Sequence, residues 1–140
     1  MASSSGEAES GLLDTSVVVQ LRDMNAEKLP VRPMISAITL AELSVGPLVA
    51  KSPKERSARQ AVLQQAEADF DPLPFDASAA RAFGQVAASL RQAGRKTSAR
   101  SYDAMIAAVA LANGLPLYTA NPVGFAGIEG LDVRPIQPER

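Results

Sequence analysis

Gly11-Leu12-Leu13-Asp14-Thr15-Ser16-Val17-Val18-Val19 is the stretch on which the fold turns, because two apolar runs are broken by one polar triplet. Two readings of it stand: a buried strand that ends at Asp14 with a helix beginning just after, or a single longer strand. Upstream, Ala2 to Ser10 is small and polar, so residues 1–10 read as a disordered leader and 11–140 as one folded domain. Downstream, Pro33 to Ile38 reads as a second strand, and Thr39-Leu40-Ala41-Glu42 has the form of a capping box opening a helix that Gly46-Pro47 interrupts.

From about Pro53 to Phe70, apolar residues recur every four positions at Ala58, Val62, Ala66 and Phe70, which predicts an amphipathic helix. Pro72-Leu73-Pro74-Phe75 is extended, since each proline biases its predecessor away from helix. Asp76 then opens a helix whose buried face is Ala79, Phe83, Val86, Ala87 and Leu90, closing near Ala93-Gly94. After a polar connector, Arg95-Lys96-Thr97-Ser98, another helix is expected from about Ala99 to Ala112, stopped by Asn113-Gly114. Leu115 to Thr119 and Leu131 to Val133 complete the predicted strands.

Short apolar strands alternating with helices predict an α/β fold whose mostly parallel sheet is covered on both faces. Ligands of such sheets collect outside the carboxyl ends of the strands, at a topological switch point. That rule singles out Asp14, Glu42 and the Thr119 to Asn121 segment.

Composition narrows the chemistry. The 140 residues suit one domain, and aromatics supply only 4% of them against 46% hydrophobic residues overall, so the core is aliphatic. Histidine and cysteine are absent, which excludes an imidazole base, a thiol nucleophile, a zinc knuckle and a disulfide framework. No run of about 18 apolar residues is present and the first ten residues are polar, so neither a membrane span nor a secretory signal is expected and a cytoplasmic protein fits. A net charge of −1 argues against a general nucleic-acid coat but leaves a local basic patch open.

The acids have structural explanations to overcome. Asp14 and Asp76 can each be a helix N-cap. Glu42 sits where a capping-box glutamate belongs, and Asp103, early in an apolar helix, complements the helix dipole. In combination, however, Asp14, Glu42 and Asp103 stand at the starts of three helices that can converge on one end of the sheet. Close carboxylates repel one another unless a cation neutralises them. A hard ion such as Mg²⁺ does so with oxygen ligands alone. An Asp-x-Asp phosphatase would need an acid where Ser16 stands, and Gly11, Gly46, Gly94 and Gly114 are too isolated to form a phosphate loop.

Leu13-Asp14-Thr15-Ser16, Thr39-x-x-Glu42, Asp103-Ala104-Met105-Ile106-Ala107-Ala108 and Tyr118-Thr119-Ala120-Asn121 before Phe125 together resemble the ordered motifs of PIN-domain ribonucleases, in particular the VapC-type toxins of bacterial toxin–antitoxin pairs. The resemblance runs from about Leu12 to Val133. It implies a three-layer α/β/α sandwich around a central, mostly parallel sheet. It also implies an endoribonuclease that uses Mg²⁺, or Mn²⁺, and a metal-activated water to leave 5′-phosphate and 3′-hydroxyl ends. Position by position, Asp14, Glu42 and Asp103 match the family's metal-holding acids. Relatives commonly carry a further acid in the segment matched by Asn121 to Phe125; this chain has Asn121 and Gly124 there, and Asn121 is expected to orient a water at the catalytic site. Thr15 and Ser16 are candidates to hydrogen-bond a ligand or phosphate oxygen. A VapB-type antitoxin, an RNA substrate and a homodimer are the implied partners.

Arg91, Arg95, Lys96 and Arg100 fall within ten residues with no acid among them and lead into the Asp103 helix. Arg95, Lys96 and Arg100 are therefore candidate RNA-phosphate contacts, against the alternative of a solvated loop. The competing view of the whole chain is a catalytically inactive α/β interaction module whose acids only cap helices.

Overall fold

A computed structural model describes residues 9–139. The elements run β1 (Ser10–Leu13), α1 (Thr15–Val18), β2 (Arg32–Met34), α2 (Ala37–Val45), α3 (Pro53–Asp69), α4 (Ala77–Gln92), α5 (Ser101–Ala112), β3 (Leu117–Thr119) and β4 (Val133–Pro135). Of the two readings of the opening stretch, the strand-then-helix one is observed. Asp14 is extended, at φ −81° and ψ 176°, and caps α1.

All strands are parallel, in the order β2-β1-β3-β4. The period of two along β1 sends neighbouring leucines to opposite faces. Leu12, level with Leu117, packs under α4 and α5 with Val86, Leu90, Ile106, Val109 and Phe125. Leu13, level with Tyr118, packs on the other face with Val17, Ile35, Leu43 and Ala66. The result is the expected α/β/α sandwich. In α5, Ala104, Ala107, Ala108 and Ala110 are all buried, and their small side chains let the helix lie close on the sheet.

From β1 the chain crosses to one side, to β2, and from β3 to the other, to β4. The switch point therefore lies between the carboxyl ends of β1 and β3, beside Asp14 and Thr119. Close approach of these strands' side chains requires Gly11: a Cβ there would stand 2.4 Å from a Tyr118 ring carbon.

Besides a shorter second strand, Arg32–Met34 in place of Pro33–Ile38, and a shorter third, Leu117–Thr119 in place of Leu115–Thr119, three boundaries differ from expectation. The predicted leader falls partly outside the described residues, at 1–8, but Glu9 and Ser10 belong to the fold. Ser10 begins β1, and Glu9 accepts from the Tyr118 hydroxyl at 2.9 Å and pairs with Arg134 at 2.9 Å. The last strand lies two residues later than predicted, because Gly130, at φ 83°, turns the chain and Leu117 N–H bonds to Asp132 O at 2.8 Å. The third difference bears on the site. The cap of α2 is Ser36, whose hydroxyl accepts from Thr39 N–H at 3.2 Å, so Thr39-x-x-Glu42 is not a capping box. Ser36→Ala is expected to cost about 1 kcal/mol in chemical denaturation, while Glu42→Gln leaves stability equal or higher; a loss of that size in Glu42→Gln would restore the capping role.

Among the described residues, no helix is long and apolar enough to cross a membrane.

Candidate active site

Asp14 is only 4% exposed, yet every acceptor on it is used. Oδ1 accepts from Val17 N–H at 3.3 Å and from the Ser16 hydroxyl at 2.6 Å, and Oδ2 accepts from the Thr119 hydroxyl at 2.8 Å. Capping α1 is thus part of what Asp14 does, and only one of three donors serves it. Burial pushes its carboxyl upward; the Ser16 and Thr119 hydroxyls and the backbone amides pull it back. The same two hydroxyls stitch the strand ends together, for Ser16 Oγ accepts from Ala120 N–H at 3.0 Å and Thr119 Oγ1 from Asn121 N–H at 2.9 Å.

Glu42, on the second turn of α2, takes the Thr15 hydroxyl proton on Oε1 at 2.5 Å. Thr15 has one proton to give, and the shorter contact to a carboxylate claims it. The buried Thr39 hydroxyl oxygen, 3.1 Å from Thr15 Oγ1, is the second acceptor within reach of that proton. Thr15 and Ser16, read from the sequence as ligand contacts, are in this arrangement the supports of two carboxylates. Burial raises the Glu42 carboxyl, the Thr15 hydrogen bond opposes the rise, and the Asp14 charge adds to it.

Asp103 lies in the first turn of α5. Burial, then the charges of Asp14 and Glu42, push its carboxyl up to about 6, against the pull of Arg100 and Arg95. The three predicted acids are therefore brought within electrostatic reach of one another, from the start of α1, from α2 and from α5. With the side chains as they stand, no three acids among the described residues are gathered tightly enough to grip an ion. Glu42 leans on Thr15, and Asp103 faces Arg100 at 3.9 Å.

Beyond Asp103 the lining changes from oxygen to nitrogen. Gly124 is buried against the site: a Cβ built on it would lie 2.8 Å from Asp103 Oδ2, 3.0 Å from Asn121 Nδ2 and 3.5 Å from an Arg100 guanidinium nitrogen. Asp103, Asn121 and Arg100 therefore crowd toward Gly124, and a side chain there would force one of them to shift. Arg95 donates to Ala126 O at 3.0 Å, which fixes its stem. Arg91, Arg95 and Lys96 border an open surface cavity of about 620 Å³ with Phe83, Ala87 and Thr97. On the opposite side, a cavity of about 380 Å³ opens on Glu42 and Thr15, and shares Val19, Ala58 and Val62 with an apolar one of about 510 Å³ between α1 and α3. Asp76 caps α4 through Ala79 N–H at 3.0 Å, as its structural reading has it.

Sequence reasoning singled out Thr119 only as a position after a strand, and gave Thr39 no role beyond the motif. The orienting hydroxyls have no local signature, because each acts on an acid from a distant segment.

A PIN-domain family model matches residues 11–129. Ribonuclease VapC5 of Mycobacterium tuberculosis is 37% identical over 123 residues, covering 86% of this chain and 88% of that protein. Among solved structures, the VapBC-5 toxin–antitoxin system of Mycobacterium tuberculosis superposes with a TM-score of 0.78 at 36% identity, covering 91% of this chain and 98% of that one. VapBC2 of Rickettsia felis, bound to a DNA fragment from its promoter, gives 0.73 at 25% identity, covering 91% and 99%.

Proposed function

The chain belongs to the PIN-domain family, and on that premise we propose that it is the toxin of a toxin–antitoxin pair, an endoribonuclease dependent on Mg²⁺ or Mn²⁺. The observation that carries this reading is the trio Asp14, Glu42 and Asp103, whose charges oppose one another at the switch point of a parallel sheet. Capping takes one oxygen of Asp14, and Glu42 and Asp103 make no cap bond, which speaks against an inactive interaction module whose acids only cap helices. The three acids gain a great deal from a divalent cation, and an all-oxygen donor set without histidine or cysteine suits a hard one.

Asp14, Glu42 and Asp103 would hold that cation. Bound there, it would supply positive charge against the phosphate and lower the pKa of a water for attack on phosphorus. Ser16 and Thr119 oppose the effect of burial on Asp14 and hold its carboxylate turned, and Thr15 does the same for Glu42. Asn121 stands where it can orient a water beside Asp103. Arg95 and Lys96 offer positive charge along the path into the site, where the phosphates on either side of the cut bond would lie.

The partner is a VapB-type antitoxin, which the toxin–antitoxin complexes of similar fold support. The apolar trough between α1 and α3, continuing to Glu42, suits an amphipathic helix of such a protein. A second copy of the chain completes the assembly, for which Val45, Leu48 and Val49 offer exposed apolar surface.

The test is incubation of the purified chain with cellular RNA, with Mg²⁺ and with a chelator. Fragments bearing 5′-phosphates, formed only with the ion, are expected; chelator-insensitive cleavage or none sinks the proposal. Lys96→Gln should weaken binding of a single-stranded RNA and lower the salt slope of log K by about 0.7. An unchanged slope would remove Lys96 from the RNA path.

A further inference from the structure

We infer that the open cavity along α4 is a subsite for one nucleotide of single-stranded RNA, its base stacked on Phe83 and its phosphates held by Arg91 and Lys96. The inference rests on the nuclease reading for its ligand and deepens it, by placing a base-holding surface outside the acidic site. Phe83, Ala87 and Arg91 are spaced at i, i+4 and i+8, so they form one stripe along α4, about 12 Å long. The apolar pattern of the helix predicts Phe83 and Ala87 in the core, yet of that face only Ala79, Val86 and Leu90 are buried. Phe83 and Ala87 stay part-exposed and line a cavity of about 620 Å³ with Arg91, Arg95, Lys96 and Thr97. The Phe75 ring meets Phe83 with centroids 6.4 Å apart and planes at 73°. Such a T-shaped contact fixes the Phe83 ring and covers at most one of its faces.

Charge selects the occupant. Three of the six lining residues are cations and none is an acid, and among the described residues neither Arg91 nor Lys96 is in an ion pair. An apolar helix would leave those charges unanswered, and an acidic peptide would leave the ring without a flat partner. A nucleotide carries a π face and an anionic group on one short frame and answers both. Arg95 joins the cavity to the chemistry: its guanidinium donates to Ala126 O at 3.0 Å, and its charge is felt at Asp103. The next residue, Gly127, presses the end of α4 against the same turn, for a Cβ on it would stand 2.9 Å from Ala93 Cβ. The cavity is thereby held in a fixed relation to the acids, and a strand seated on Phe83 continues past Arg95 toward Asp103.

The test compares two strands. Binding of a short oligoadenylate and of an abasic ribose–phosphate strand of equal length to the full-length chain is followed by fluorescence anisotropy in a chelating buffer. Phe83→Leu keeps an apolar side chain over the core. It should bind the oligoadenylate about tenfold more weakly, as for loss of one base–aromatic stack, and the abasic strand as wild type does. Phe83→Tyr should match wild type on both. Ala87→Gln narrows the cavity with a good helix former and should repeat the Phe83→Leu pattern, which keeps the test decisive if circular dichroism shows Phe83→Leu unfolded. Arg91→Gln should weaken both strands and lower the salt slope of log K by about 0.7. Oligoadenylate binding unchanged in Phe83→Leu and Ala87→Gln, or an equal loss on both strands, overturns the inference. So does an oligoglutamate peptide that displaces the oligoadenylate at equal concentration, which would assign the cavity to an acidic protein segment. If wild type cleaves RNA with Mg²⁺ while any of these is seen, the nuclease reading stands without the subsite. A wild type that shows the expected binding pattern but no cleavage overturns the nuclease reading alone, and one that binds neither strand and cleaves nothing overturns both.

Discussion

Asp14→Asn is expected to lower Mg²⁺-dependent RNA cleavage about a thousandfold. The change removes one anionic ligand from a site whose cation contributes several kcal/mol to the transition state, and about 1.4 kcal/mol corresponds to a tenfold rate. It also disturbs a buried network: an amide placed at Oδ2 cannot accept the Thr119 proton, so the Thr119 hydroxyl must turn. Asp14 is nearly fully buried, so no solvent-borne group can take its place. The comparison that isolates the effect is Asp76→Asn, an acid that caps α4, whose cleavage should match wild type. Single-turnover rates on one RNA oligonucleotide measure both. An Asp14→Asn rate within tenfold of wild type would remove Asp14 from the chemistry.

Asp103→Asn should, without divalent ions, make the protein more stable near neutral pH. Its carboxyl titrates at about 6 in the fold, above the value of about 4 in an unfolded chain. The folded state therefore holds the proton more tightly. Its contribution to stability is complete below about pH 4 and is lost as pH rises through 6. The whole shift corresponds to about 3 kcal/mol. The side chain is 30% exposed, and screening by solvent reduces this to about 1–2 kcal/mol. In a chelated buffer near pH 7 the variant should melt about 5 °C above wild type, and the gap should close below about pH 4. Millimolar Mg²⁺ should reverse the order, because only wild type has the full set of acids to bind it. A variant that melts lower at neutral pH would show that Asp103 is held by favourable contacts rather than by its neighbours' repulsion.

Much of this was legible in the residues, and the limits have physical causes. Leu12 and Leu13 face opposite layers because a strand has a period of two, so an apolar burst before Asp14 already implied a sheet covered on both sides. Asp14 and Asp103 were legible because acids at helix starts after, or beside, buried strands have few places to go. The start of α2 was misplaced because Ser36-x-x-Thr39 and Thr39-x-x-Glu42 compete as caps, and the second carries the more familiar acid. Only the fold decides between them, by burying Thr39 and sending Glu42 toward Thr15. The Glu9, Tyr118 and Arg134 contacts, which draw the first described residues into the domain, join segments more than a hundred residues apart, and no local pattern announces such a bond. Gly124 looked like an omission in the sequence; its meaning rests on the three side chains that crowd toward it.

The bond from Thr119 to Asp14 spans 105 positions of the chain. During synthesis, Asp14 and Glu42 leave the ribosome long before β3 exists, and β1 then has only β2 beside it. Asp103 and the Thr119 hydroxyl arrive only with α5 and β3. On the proposed nuclease reading, a chain cut short before β3 lacks the hydroxyl that orients Asp14 and is expected not to cleave RNA.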